Sequence, residues 1–275
     1  MREFILSLSV RYQLLFILLI TILVAFIAAN ITAFLFGSVE LISKLDLIVA
    51  IYAVLGTIYA VLVAFSISGV WQNYCASETS VITEVAALTD LVHMVKASST
   101  SKAQYIRDIV INYLNEVIEV EWSVLAKGRN DLILSPTSNT FLHSMHIVRE
   151  IQTIETVNAR DNVVFSHVLT LLTKWLDARR TRLMISKGDI AKSLWPLLIT
   201  GAFILFSFHG LFSVESRLLW STLLLLFSGI IGLSFYLIFT LDCPFAGYPM
   251  VDSAPFTMAL NWLKEEKNSG KNPAE

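Results

Sequence analysis

The sequence predicts an all-α integral membrane protein. Four transmembrane helices form two hairpins, and a water-facing helical region separates the hairpins. Three observations carry this. Four stretches lack Asp, Glu, Lys and Arg altogether: residues 12–39, 47–77, 193–214 and 218–241. Each reaches the roughly 20 apolar residues a helix needs to cross about 30 Å of hydrocarbon. The 275-residue chain is 55% hydrophobic and only 15% charged, against about 25% charged in a typical soluble domain.

The expected organisation follows. Residues 1–77 form an N-terminal transmembrane hairpin and 78–192 a cytoplasmic helical region. Residues 193–241 form a C-terminal hairpin and 242–275 a cytoplasmic C-terminal segment. Lys and Arg set the orientation, because cytoplasmic loops are enriched in them. The central segment holds thirteen, including Arg179, Arg180, Arg182, Lys187 and Lys192. Each short hairpin loop holds one, Lys44 or Arg217. Both termini and the middle are therefore expected in the cytoplasm. A net charge of -2 gives no bias toward nucleic acid. Cys75 and Cys243 are too few for a disulfide framework and read as thiols.

The first and second apolar stretches each form one helix. The second continues into the cytoplasm, since nothing between Trp71 and Glu84 breaks a helix. There Val81, Val85, Leu88 and Val92 recur at helical spacing. Residues 102–127 form a helix with Ile106, Ile109, Tyr113, Val117 and Val120 or Glu121 on one face, ended by Gly128. Residues 128–138 have loop composition. Asn139 or Thr140 caps a third helix through about Val157, and a fourth spans about Asp161 to Ser186. Gly188-Asp189 breaks the chain, and Pro196 falls in the first turn of the next helix, where proline is tolerated. From Glu265 onward the polar tail is expected to fray.

The second membrane helix carries two stripes. Gly56, Ala60, Ala64 and Ser68 recur every four residues, and small side chains let membrane helices approach closely. Thr57, Val61 and Phe65 follow the same spacing one position on. The residues alone leave open whether that line packs or faces a central axis.

No catalytic constellation stands out, so an enzyme is not expected. Phosphate loops, Cys-x-x-Cys, His-Glu-x-x-His and Gly-x-Ser-x-Gly are all missing from the sequence. His143 and His146 share a helix face, but a metal site needs three or four ligands, so no metal and no cofactor is expected. Glu116, Glu119 and Glu121 beside Trp122 read as a solvated face. Within the spans only Asn30 and His209 stand out, and both read as structural polar contacts, Asn30 toward a neighbouring helix.

Several short runs carry a resemblance. Residues 62–65 lead through Trp71 and Tyr74 to Glu84, Tyr113-Leu114 and Glu121-Trp122 follow, and Asp242-Cys243-Pro244-Phe245-Ala246-Gly247 comes after the last span. Together these resemble the bacterial bestrophin-like family and, more distantly, the bestrophin anion channels, over nearly the whole chain. The resemblance implies an all-helical homopentamer in the bacterial inner membrane that conducts small inorganic ions. Its second helix would line a hydrophobic neck of Thr57, Val61 and Phe65, followed by the aromatic residues Trp71 and Tyr74. The turn of Asp242, Pro244, Phe245 and Gly247 would tie the C-terminal segment to the cytoplasmic region. Ala246 is an insertion in that turn, Gln72 and Asn73 replace an expected arginine, and the acidic calcium clasp of animal bestrophins is missing. Calcium gating is therefore not expected.

Two functional readings follow: an oligomeric ion channel, or a non-conducting membrane scaffold or sensor whose cytoplasmic helices bind a partner. The partners implied are the lipid bilayer, further copies of the chain and, for the channel, ions.

Overall fold

The computed structural model describes residues 9–36, 45–98, 100–127, 135, 138–186, 188, 190–212, 216–246 and 248–269. Among them lie nine α-helices and one π-helical turn, and no strand. The helices are α1 (Val10–Phe36), α2 (Leu45–Ala97), α3 (Ala103–Glu116), α4 (Trp122–Ala126), α5 (Asn139–Gln152), α6 (Ala159–Ile185), α7 (Ile190–His209), α8 (Arg217–Leu241) and α9 (Ala254–Ser269). The π turn, Val117–Glu121, joins α3 to α4. Two compact units result: Met1–Asn73 with Gly188–Asp242, and Tyr74–Lys187 with Cys243–Glu275.

Among the described residues three helices are long and apolar enough to cross a membrane, Val10–Phe36, Asp46–Ala97 and Arg217–Leu241. The apolar part of α7, Leu194–His209, is shorter. Helix α2 is unbroken over 53 residues. At about 1.5 Å per residue it is roughly 80 Å long, well over twice the hydrocarbon thickness.

In the first unit α1 packs against α7 and α8 through small residues. Ala25, Ala28 and Ala29 of α1 are buried. A Cβ on Gly210 would stand 2.1 Å from the Ala29 carbonyl oxygen, and one on Gly232 2.9 Å from Leu18. Only glycine permits those approaches. His209 is buried and its ring lies 5.5 Å from that of Trp220. Asn30 does not reach a neighbouring helix: its Nδ2 donates to the Phe26 carbonyl of its own helix at 2.7 Å. Pro196 lies inside α7 rather than in its first turn, because the helix already begins at Ile190, just past Gly188 with its positive φ of 61°.

In the second unit apolar faces of α2, α3, α6 and α9 bury Leu88, Leu91, Ile106, Trp175, Phe256 and Leu263. Side chains that accept backbone N–H groups start α5 and α6. Ser138, not Asn139 or Thr140, caps α5, accepting from the Phe141 N–H at 3.3 Å, and that helix ends at Gln152, before Val157. Asn158 caps α6, accepting from the Asp161 N–H at 2.8 Å. The tail does not fray at Glu265, since α9 runs to Ser269 with its Phe256 and Leu263 face buried. Gly128, Gly247 and most of the loop expected at 128–138 lie outside the described residues.

Candidate functional site

Two places in the chain concentrate chemistry, one in each unit. The first is the outer face of α2. Tyr59 turns toward α7: its hydroxyl donates to the Leu198 carbonyl at 3.1 Å, and its ring occupies the space a side chain on Gly201 would need. The other side of the helix is left uncovered within the chain. Phe65 is 74% exposed and Val61 50% exposed, and Thr57 is exposed in the same line. The Thr57 hydroxyl donates to the Ala53 carbonyl at 2.9 Å, so its proton is spent within its own helix. The line is therefore less polar than its composition suggests.

The small-residue stripe is uncovered as well. Ala60, Ala64 and Ser68 are exposed, and a Cβ on Gly56 would meet nothing within 4 Å. The close approaches made within the chain instead use Gly201, Gly210 and Gly232. Trp71 is 53% exposed and Tyr74 is buried.

After α8 the chain turns sharply. The Asp242 N–H donates to the Ile238 carbonyl at 3.0 Å, the Ala246 N–H to the Cys243 carbonyl at 2.9 Å, and the Val251 N–H to the Pro244 carbonyl at 2.8 Å. The fully buried Phe245 meets Trp122 edge-on at 5.5 Å.

The second place is a closed ring of five side chains in the second unit. The Tyr113 hydroxyl donates to Glu84 Oε1 at 2.6 Å. Arg182 donates to Glu84 through Nε at 2.7 Å and Nη2 at 3.1 Å, and its Nη2 lies 2.6 Å from Glu121 Oε1. Arg179 Nη2 donates to Glu121 Oε2 at 3.1 Å, and Arg179 Nε donates to the Tyr113 hydroxyl at 3.0 Å, closing the ring. Two carboxylates balance two guanidinium groups. The Arg182 guanidinium lies 5.5 Å from the Trp122 ring and 5.4 Å from the Phe256 ring, within cation–π range.

Electrostatics follow from this geometry. Burial pushes the Glu121 carboxyl up, but Arg182, then Arg179 and the Thr140 hydroxyl, outweigh burial and hold it below its ordinary value. Burial and the neighbouring Glu84 push the Tyr113 phenol well above its ordinary value. The ring is two carboxylate–guanidinium pairs bridged by a phenol that donates to Glu84.

The solvated face expected for Glu121 is thus wrong. The π turn inserts one residue into the helical repeat, which rotates Glu121, Trp122 and Leu125 inward and leaves Val120 45% exposed. Such turns are frequent at functional sites. The arginines had a legible signal. Val168, Leu172, Trp175, Arg179 and Arg182 are spaced by four and three residues, so both arginines occupy core positions of α6. Among the histidines, His146 meets the Tyr105 hydroxyl at 3.2 Å and lies 3.8 Å from Glu150.

A family profile described as the Bestrophin-like domain matches residues 19–256. No curated protein matches the chain. Among solved structures, a single-residue variant of a bacterial bestrophin homolog from Klebsiella pneumoniae is similar with a TM-score of 0.65 at 12% identity, covering 93% of this chain and 99% of that one. A second variant of it gives a TM-score of 0.60 at 16% identity, covering 91% and 97%. A structure described only as a membrane protein gives 0.63 at 13% identity, covering 92% and 98%. These identities establish a shared fold, and the profile spans most of the sequence. With its apolar helices, its all-helical units and this match, the chain belongs to the bestrophin-like family of membrane proteins.

Proposed function

We propose that the chain is one subunit of a homopentameric ion channel in a bacterial inner membrane, not an enzyme. The observation that carries this is the uncovered face of α2, where Thr57, Val61 and Phe65 are exposed on a helix whose Tyr59 side is packed. One subunit has too few helices to enclose a pore. Cyclic assembly brings the same line from each copy to an axis, and an apolar neck there gates by dewetting and size. The small stripe at Gly56, Ala60, Ala64 and Ser68 lies about 100° around the helix from that line, which suits contact with the next copy while the larger residues face the axis. Helix α7 serves as the fourth span, with both termini and the central helices in the cytoplasm. The family match supports this reading. The direct test is current across a bilayer holding the purified protein. Ion currents enlarged by Phe65→Ala are expected. Currents unchanged by that substitution would remove Phe65 from the neck.

A second reading has one observation in its favour. The exposed small stripe would also let α2 helices pack tightly on one another, which would close the axis and leave a non-conducting scaffold or sensor. Absence of current from a stable pentamer would favour it.

A further inference from the structure

Glu84 accepts from two other helices, once from Tyr113 of α3 and twice from Arg182 of α6. Around it on α2, Val81, Leu88 and Leu91 are buried and apolar. Apolar burial holds helices together but is non-directional. A two-point guanidinium–carboxylate pair adds fixed geometry to its energy. Stability alone does not call for that pair, since apolar groups of similar volume in place of a buried ion pair are often as stable. What the pair supplies beyond burial is a single rotation of α2 about its own axis. Helix α2 runs unbroken from Leu45 to Ala97, and a rigid element of this kind carries a displacement along its length. Phe65 lies about 28 Å along the helix from Glu84. Successive residues are about 100° apart around it, so a turn of that size would replace the line of Thr57, Val61 and Phe65 by that of Gly56, Ala60 and Ala64.

We propose that Glu84 and Arg182 are positioning residues for the neck. Their two-point pair sets the rotation of α2 and so selects the line of side chains that the helix presents to the axis. This rests on the reading of α2 as the neck-lining helix. The rotation itself is measurable without any current.

Fluorine NMR of the assembled protein carrying 5-fluorotryptophan tests it. Trp71 reports on α2 from outside the ring, being 53% exposed on that helix, and Trp71→Phe identifies its line. Wild type is expected to give one sharp Trp71 line. Two variants disturb the pair in different ways. Glu84→Leu with Arg182→Met removes both charges and keeps apolar burial. Arg182→Lys keeps the charge and loses the fork. Each should split or broaden the Trp71 line. Ile147→Ala, at a fully buried α5 site outside the ring, should lower stability and leave the line sharp. In bilayers, the enlargement of current by Phe65→Ala should shrink in either pair variant, as coupled sites require. A Trp71 line as sharp as that of wild type in both pair variants would overturn the positioning role. Equal broadening by Ile147→Ala would overturn it too, by reducing the pair to general packing. A broadened line with an undiminished Phe65→Ala effect would detach the pair from the neck and overturn its role there. Absence of current from wild type would overturn the neck reading, and the Trp71 line would still decide whether the pair sets the rotation.

Discussion

Glu84 and Arg182, each with a fully buried side chain, form a two-point pair, with Arg182 Nε 2.7 Å from Glu84 Oε2 and Nη2 3.1 Å from Oε1. Glu84 lies on α2, the helix that also bears Phe65, and Arg182 lies on α6. Removing one member of a buried pair strands the other charge, which costs about 3–5 kcal/mol, whereas replacing both by apolar groups is often neutral. Arg182→Ala is therefore expected to lower unfolding stability by about that amount. The pair Glu84→Leu with Arg182→Met, which leaves Glu121 balanced by Arg179, should recover most of it. Denaturant unfolding of the four proteins of this cycle checks it. A double variant as unstable as the single one would mean that the ring acts as an indivisible unit.

The ring also fixes how stability depends on pH. The folded-state pKa of Glu121 is depressed, so its contribution is present above the ordinary value of 4.5 and is lost as pH falls. That of Tyr113 is raised, so its contribution is present below the ordinary value of 10.0 and is lost as pH rises beyond it. Thermal midpoints should drop at both ends of a pH series. Glu121→Gln should flatten the acid limb, and Tyr113→Phe the alkaline limb. Tyr113→Phe should also cost about 1–3 kcal/mol at neutral pH, since Glu84 loses a donor and Arg179 an acceptor. An alkaline limb that is unchanged in Tyr113→Phe would assign it to another group.

Truncating the exposed Phe65 ring removes little packing within the chain, since the residue is 74% exposed there. Phe65→Ala should therefore leave the stability of the subunit within about 0.5 kcal/mol while raising conductance. A large fall in stability of the separated subunit would show that the ring packs within the chain and does not face an axis.

Gly210 and Gly56 should respond in opposite ways. A methyl on Gly210 meets the Ala29 carbonyl oxygen at 2.1 Å, and backbone cannot yield cheaply. Gly210→Ala should cost about 1–3 kcal/mol through overpacking. Gly56→Ala meets nothing within 4 Å and should be neutral or stabilising by up to about 1 kcal/mol, as for Gly to Ala inside a helix. Gly56→Leu should instead shift the assembly toward smaller oligomers, read by mass in detergent. An unchanged oligomer would remove the stripe from any contact between copies.

Much of this was legible because membrane helices announce themselves by length. Uncharged runs and helical spacing suffice to anticipate α1, α8 and the unbroken α2 with its buried Leu88 and Val92. What was not legible depends on phase and on tertiary pairing. Glu121 was ambiguous with Val120 because the π turn breaks the 3.6-residue repeat on which such a reading rests. In the sequence Arg179 and Arg182 count only toward the positive charge of the central segment, because buried charges are rare unless paired and their partners lie 58 and 98 residues away in sequence. Helix α9 has a signal in the sequence: Phe256, Leu260 and Leu263 carry a helical repeat and Pro255 sits in the first turn, where it fits.

The π turn has a consequence for chain length. It holds one residue more than an α-helix needs between Val117 and Trp122, and the surplus is carried on the outside by Val120. A chain shortened by deleting Val120 could close the turn into ordinary helix and keep Glu121 facing Arg179 and Arg182. The same one-residue deletion within α3 would swing every later side chain by about 100°. The segment thus tolerates a change of length at one position and forbids it a turn away.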